Sequence, residues 1–89
     1  FGAADYTLDM GVEMTMVGTE LHYPRSRIAV ACRAAVVVPP VDTPFMIDVK
    51  NVEALTADAQ RARQLGFQGK LCNHPIQIEP CHAVFSPTA

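Results

Sequence analysis

Residues 41–73, VDTPFMIDVKNVEALTADAQRARQLGFQGKLCN, place one strongly patterned helix between two short apolar runs. The run at 44–49 (PFMIDV) is continuous and apolar, which is typical of a strand buried on both faces. Asn51 can cap the helix that follows, and Gly66 can end it in the left-handed conformation. The run at 69–73 (GKLCN) predicts a second short strand. This order indicates a strand–helix–strand unit with a parallel pair of strands.

The helix within this stretch has an apolar side and a charged side. Four apolar residues recur at helical spacing and are predicted to be buried: Val52, Leu55, Ala59 and Ala62. Phe67 is expected to pack back on the last turn. Four charged residues of the helix are expected to face solvent: Glu53, Asp58, Arg61 and Arg63.

A second helix is predicted upstream, and a third downstream. The upstream helix opens near Pro24 and ends before Pro39 and Pro40, with an apolar stripe at Ile28, Ala31, Cys32 and Ala35. The downstream helix is expected from Pro75 onward. Alternating strands and helices of this kind predict an α/β fold, and too few units are present to close a sheet by themselves. We therefore expect a segment of a (β/α)₈ TIM barrel, roughly its last three βα units, with no internal domain boundary across residues 1–89.

Length, composition and charge limit the classes of function. The chain has 89 residues, a net charge of −2 and 49% hydrophobic residues, so it is one domain at most and is not expected to bind nucleic acid. No apolar run is long enough to predict a membrane span. An odd number of cysteines, three, favours a reducing compartment and a cytoplasmic location. Because the chain opens on Phe1 without a methionine, we expect it to be part of a longer protein.

Two groups of residues could hold a metal ion. Asp5 follows small residues whose amides could approach an anion, and its carboxylate could hold a hard cation such as Mg²⁺ or cap the next helix. Cys72, His74, Cys81 and His82 suggest zinc ligands at first sight. Their spacing differs from that of tetrahedral zinc sites, which argues against zinc.

Five stretches resemble, in order and spacing, the C-terminal half of the HpcH/HpaI aldolase and citrate lyase beta-subunit family. They cover almost the whole chain and are closest to the branch with malyl-CoA and citramalyl-CoA lyases: FGAADYTLDMG, PRSRIAVACRAA, VDTPFMIDVKNVEAL, ARQLGFQGKLCNHPIQI and VFSP. The resemblance implies a TIM barrel that makes or breaks a carbon–carbon bond beside a 2-oxo acid. It also implies a homo-oligomer, a trimer or larger.

The resemblance assigns Asp5 to the metal. Family members hold Mg²⁺ with a Glu and an Asp, and Asp5 occupies the Asp of their Gly-x-x-Asp stretch. Gly2, Ala3 and Ala4 are then expected to form the adjoining turn, with backbone amides near the substrate carboxylate. Ala4 stands where many relatives have Glu. The partner Glu and a substrate-binding Arg are expected on earlier strands, outside these residues.

The resemblance also bears on other polar residues. His74, Pro75 and Gln77 match the family's turn after its last strand, which leaves Cys72 as a strand side chain. Asp42 is expected to form a turn with Thr43 and Pro44. Arg25 and Arg27 are expected on a solvated helix face, with a CoA phosphate or an acyl carrier as the alternative partner.

Four functions remain open at this level. The first is a Mg²⁺-dependent lyase that cleaves a malyl-, citramalyl- or citryl-like 3-hydroxyacyl-CoA to a 2-oxo acid and an acyl-CoA, or runs in reverse. An acyl-carrier substrate is also open. The second is an aldolase acting on free hydroxy-oxo acids. The third is a thioesterase acting on the same acyl-CoA, because hydrolysis needs only water admitted to the site. The fourth is a non-catalytic barrel fragment.

Overall fold

The structure, a computed structural model, describes residues 1–87 and contains four α-helices and two short strands. Short 3₁₀ turns at Thr19–Leu21 and Pro75–Gln77 lead into the second and fourth helices. The elements in chain order are α1 (Ala3–Met10), α2 (His22–Ala34), β1 (Val41–Asp42), α3 (Val52–Gln64), β2 (Gly69–Lys70) and α4 (Ile78–Phe85).

The two strands form a parallel pair joined by α3, which confirms the predicted strand–helix–strand unit. Val41 lies opposite Gly69, and Asp42 lies opposite Lys70. The pairing continues at 3.1 Å from the Leu71 amide to the Asp42 carbonyl. The fold of the described residues is thus α/β and rich in helix, and the barrel itself remains an expectation.

The predicted strand at 44–49 is wrong, because β1 lies earlier, at Val41–Asp42. Pro44 has no amide hydrogen for a strand ladder, and the carbonyls of Phe45 and Val49 are bound by the Gln77 side chain instead, each at 3.1 Å. The run is apolar because Phe45 packs into the core with Leu55 and Cys81. The second strand begins where it was expected but covers only Gly69–Lys70. The expectation that Cys72 is a strand side chain is therefore wrong, because Cys72 lies beyond β2 and is exposed.

Helix α3 follows its sequence signals closely. The Asn51 side chain accepts a hydrogen bond from the Ala54 amide at 3.0 Å, which confirms the predicted cap. Leu55, Ala59 and Ala62 are fully buried, as expected. Val52 is 38% exposed, so its place in the buried stripe is wrong.

The end of α3 also agrees with the sequence prediction. Gly66 has a φ of +102°, a conformation that costs a side-chain-bearing residue energy. The Phe67 amide then returns to the Ala62 carbonyl at 3.1 Å, and the Phe67 ring is buried.

Helix α2 agrees with its prediction in extent but differs in which residues are buried. It begins at His22, so Pro24 is its third residue. The amides of the first helical turn have no acceptor within the helix, so the missing amide hydrogen of Pro24 costs no helical hydrogen bond. The predicted stripe is not buried, because Ala31 and Ala35 are exposed. The residues of α2 that are buried are Pro24 and Arg25, near its start. Among residues 1–87, no helix has the length and apolar character needed to cross a membrane.

Gln77 offers a direct test of what holds the segment after β1. Its side chain is fully buried, donates to two carbonyls and accepts from the Asn73 amide at 3.0 Å. We expect Gln77→Leu to lower the free energy of unfolding by about 2–4 kcal/mol, because three backbone groups lose their partner, among them the carbonyl of the buried Phe45. Urea unfolding of the purified protein measures this loss. The matched change at the exposed Gln60 should alter it by less than about 0.5 kcal/mol, and an equal effect of both variants would contradict the account.

Candidate functional site

Asp5 lies in the first turn of α1 with an exposed carboxylate. The helix begins at Ala3 with Gly2 in the capping position, and no side chain caps it, so the capping alternative for Asp5 is wrong. The Asp5 carboxylate makes no hydrogen bond or ion pair with any other residue of 1–87. Gly2 has an ordinary φ of −86°, yet a Cβ there would meet Asp5 Oδ2 at 3.4 Å. The carboxylate is therefore available to a ligand, and the glycine keeps one side of it open.

The backbone around Asp5 is helical, which corrects the expected turn at Ala3 and Ala4. The first amides of a helix have no acceptor within the helix and carry its positive end. The Ala3 amide already donates to Thr43 Oγ1 at 3.4 Å and is fully buried. Ala4 and Gly2 are exposed, so their amides remain the candidates for an anionic group.

A buried network of four charges lies beneath this end of the fold. Arg25 donates from Nε and Nη2 to the two oxygens of Asp42, both at 2.9 Å, and Nη2 also reaches Asp58 at 3.1 Å. Lys70 Nζ donates to Asp42 Oδ2 at 2.7 Å and to Asp58 Oδ2 at 2.5 Å. Two cations and two anions thus satisfy one another where water does not reach.

Three expectations are wrong because of this network. Asp42 forms no turn with Pro44; it lies in β1 and binds Arg25 and Lys70 through its side chain. Arg25 and Asp58 were expected in solvent, but they are 1% and 3% exposed. Sequence reasoning missed Lys70 altogether. Its one signal is a charged residue inside a short strand between Gly69 and Leu71.

The network fixes the charged state of its members. Burial by itself would raise the pKa of Asp58, but Lys70 and Arg25 outweigh it and hold that pKa below its usual value. Burial would likewise lower the pKa of Arg25, but Asp42 and Asp58 outweigh it and raise that pKa. Asp58 and Arg25 are therefore both charged at neutral pH.

Of the cysteines and histidines near the chain's end, His74 has a structural role. His74 Nδ1 accepts from the Ile76 amide at 3.1 Å and begins the 3₁₀ turn at Pro75–Gln77. Burial, together with the neighbouring Cys72 thiol, raises the pKa of Cys81 to about 12, so this thiol stays protonated at neutral pH. His82 is exposed on α4. Within the described range 1–87, no three or more His, Cys, Asp and Glu side chains gather around a point that could hold a metal.

The two arginines at the start of α2 differ in their exposure. Arg25 is committed to the network and cannot reach a ligand, whereas Arg27 is exposed. Arg27 borders an open, mostly apolar cavity of about 370 Å³ that includes Gly2 and the side chains of Phe1, Tyr6 and Tyr23. Of the two, only Arg27 remains a candidate for a phosphate group.

Sequence comparison finds relatives across almost the whole chain. The family model described as HpcH/HpaI aldolase/citrate lyase matches residues 1–75. A citrate lyase subunit beta-like protein of Deinococcus radiodurans is 42% identical over 88 residues, which are 99% of this chain and 30% of that protein. An L-malyl-CoA/beta-methylmalyl-CoA lyase of Cereibacter sphaeroides is 32% identical over 104 aligned positions, 98% of this chain and 32% of that protein. The chain thus spans less than a third of the length of these two relatives.

Structural comparison finds a similar fold in a solved protein. The crystal structure of RipC from Yersinia pestis superposes with a TM-score of 0.88 at 38% sequence identity. The match covers all of this chain and 40% of RipC.

Removing one member of the buried network should be costly. We expect Lys70→Met to lower the free energy of unfolding by about 3–5 kcal/mol, because Asp42 and Asp58 would then share Arg25 as their buried cation, and the partly exposed Arg61, 3.5 Å from Asp58, compensates little. Urea unfolding at pH 7 measures the loss, and the same change at the exposed Lys50 should cost less than about 0.5 kcal/mol. A loss below about 1 kcal/mol for Lys70→Met would contradict a closed buried network.

The lowered pKa of Asp58 predicts how stability depends on pH. Since the pKa of Asp58 is lower in the folded state, its contribution is complete above its unfolded pKa, about 3.9, and is lost as pH falls through the folded value. The difference in unfolding free energy between wild type and Asp58→Asn should therefore shrink below about pH 4, by at most about 1.4 kcal/mol per pH unit.

Chemical unfolding between pH 7 and pH 2.5 measures this difference. Asp9→Asn, an exposed change on α1, should follow the wild-type curve at every pH. A difference between wild type and Asp58→Asn that stays constant down to pH 2.5 would refute the assignment.

Proposed function

The chain belongs to the HpcH/HpaI aldolase/citrate lyase family, and from that premise we propose that it is part of a Mg²⁺-dependent carbon–carbon lyase. The substrate is a 3-hydroxyacyl-CoA of the malyl, citramalyl or citryl type, and the products are a 2-oxo acid and an acyl-CoA. Two relatives support the lyase class by name, the citrate lyase subunit beta of Haemophilus influenzae and the malyl-CoA lyase of Cereibacter sphaeroides.

The proposed architecture is a TIM barrel to which residues 1–89 contribute the C-terminal βα units. The parallel β1–β2 pair with its α3 crossover supports this, since such units repeat around a barrel. Active sites in these barrels lie at the carboxyl ends of the strands. The chain's share of its relatives' length also agrees with a part of one barrel. We extend the proposal to a homo-oligomer, a trimer or larger.

The observation that carries the proposed function is the exposed, unpaired carboxylate of Asp5 in the first turn of α1. A carboxylate oxygen is the donor that Mg²⁺ prefers, and a site with one or two carboxylates and several other oxygens suits this ion. Asp5 would supply one ligand, and a Glu outside residues 1–89 would supply the second. Bound there, Mg²⁺ would act as a Lewis acid toward the oxygens of the 2-oxo acid.

The residues of this chain would then bind and orient the substrate. The backbone amides of the exposed residues Gly2 and Ala4, at the positive end of α1, would bind the carboxylate of the 2-oxo acid. Arg27 would meet a phosphate of CoA or of an acyl carrier. In the cleavage direction the 3-hydroxyl loses its proton and becomes the carbonyl of the 2-oxo acid. The bond between C2 and C3 breaks, and its electron pair stays on C2, which takes up a proton as the acyl-CoA forms.

An assay of the whole protein tests the proposal. We expect the protein to release a 2-oxo acid from malyl-CoA or citramalyl-CoA only when Mg²⁺ is present. The absorbance of the phenylhydrazone of the 2-oxo acid measures this release. Asp5→Ala should lower kcat/KM by about 100-fold or more, because an oxygen ligand is lost. Asp9→Ala, an exposed carboxylate on the same helix, should leave kcat/KM within about twofold.

Three other outcomes of this assay would contradict the proposal in different ways. Cleavage of a free hydroxy-oxo acid but not of the thioesters would identify the aldolase. Thioester cleavage that persists in Asp5→Ala would remove Asp5 from the metal site. No turnover of either substrate class at saturating Mg²⁺ would leave the non-catalytic reading.

A further inference from the structure

We propose that Thr43 is a positioning residue that holds the first turn of α1, and with it Asp5, against the end of β1. The proposal rests on the proposed function, because the placement of Asp5 matters if Asp5 binds the metal. It assigns a part in the site to a side chain that touches neither metal nor substrate.

The contact that carries the proposal joins two segments 40 residues apart. The Ala3 amide donates to Thr43 Oγ1 at 3.4 Å, and the two residues are 0% and 1% exposed. An amide at the start of a helix has no acceptor within the helix. Water does not reach this one, so the threonine hydroxyl is its partner. The bond is longer than the usual 2.9 Å, but without it a buried N–H would be left unsatisfied.

Thr43 is itself held firmly. Its carbonyl accepts from Lys70 Nζ at 2.8 Å, and the same ammonium group binds Asp42 and Asp58. The branched side chain of threonine has few rotamers, so a fixed backbone also fixes the direction of Oγ1. The position of α1 is therefore set by the buried charge network, through Thr43, and not by a surface loop.

Asp5 is two residues beyond Ala3 in the same helical turn. The Tyr6 amide closes this turn on the Gly2 carbonyl at 2.9 Å, so the turn moves as a unit. A shift of the Ala3 end therefore shifts the carboxylate by a similar distance. Metal–oxygen distances tolerate only about 0.2 Å, which makes metal affinity a sensitive measure of this placement.

The experiment measures Mn²⁺ binding to the whole protein by electron paramagnetic resonance, because Mn²⁺ prefers the same oxygen ligands as Mg²⁺ and reports binding without turnover. We expect Thr43→Val, which keeps the shape and removes the acceptor, to raise the Kd for Mn²⁺ about tenfold. Thr43→Ser, which keeps the acceptor, should restore it to within about twofold of wild type. Thr56→Val is the matched control, since the Thr56 hydroxyl bonds only within α3, to Val52 O at 2.7 Å.

A kinetic measurement separates positioning from a general loss of structure. In Thr43→Val, the Mg²⁺ concentration for half-maximal rate should rise by the same tenfold, while kcat at saturating Mg²⁺ stays within about threefold of wild type. A fall in kcat that added Mg²⁺ does not recover would overturn the proposal. If Thr43→Val does not fold, Thr43→Ala removes the same acceptor with a smaller side chain and is held to the same limits.

The Asp5→Ala variant distinguishes the two levels of failure. If Asp5→Ala loses Mn²⁺ and the Thr43→Val Kd stays within twofold of wild type, the positioning role is overturned and the lyase proposal stands. If wild type binds Mn²⁺ no better than Asp5→Ala, the metal assignment fails, and the role of Thr43 fails with it.

Discussion

The structure depends on Asp42, a fully buried carboxylate that accepts both Arg25 from α2 and Lys70 from β2. A buried charge is tolerated only when partners surround it, and each partner here comes from a different element. With Asp58 from α3 added, the four side chains fix how two helices and two strands meet. Apolar contacts among Phe45, Leu55 and Cys81 allow small displacements, whereas the charge network does not.

Local signals in the sequence predicted the start, the main buried face and the end of α3. The Asn51 cap, the buried face at Leu55, Ala59 and Ala62, and the reversal at Gly66 all depend on neighbours within a few residues. The charge network could not be predicted in this way, because Arg25 and Asp58 look like ordinary surface residues on amphipathic helices. Their burial is decided by Lys70, which is brought opposite Asp42 only when the two strands pair.

At the candidate site, too, sequence signals were informative for some contacts and absent for others. Spacing alone left Asp5 open between a helix cap and a ligand, and the family resemblance favoured the ligand. The structure removes the cap, because the helix starts two residues before Asp5 and Gly2 occupies the capping position. The bond from Ala3 to Thr43 had no sequence signal at all, since a helix-start alanine and a threonine after an aspartate are common in many settings.

The network also affects the order in which parts of the chain can fold during synthesis. Lys70 is the last of the four charged residues to leave the ribosome, some 45 positions after Arg25. Until it emerges, docking α3 onto β1 would bury Asp42 and Asp58 with Arg25 as their buried cation, and the partly exposed Arg61 is paired with Asp58 alone. The late place of this lysine in the sequence would therefore delay the docking of α3 during synthesis.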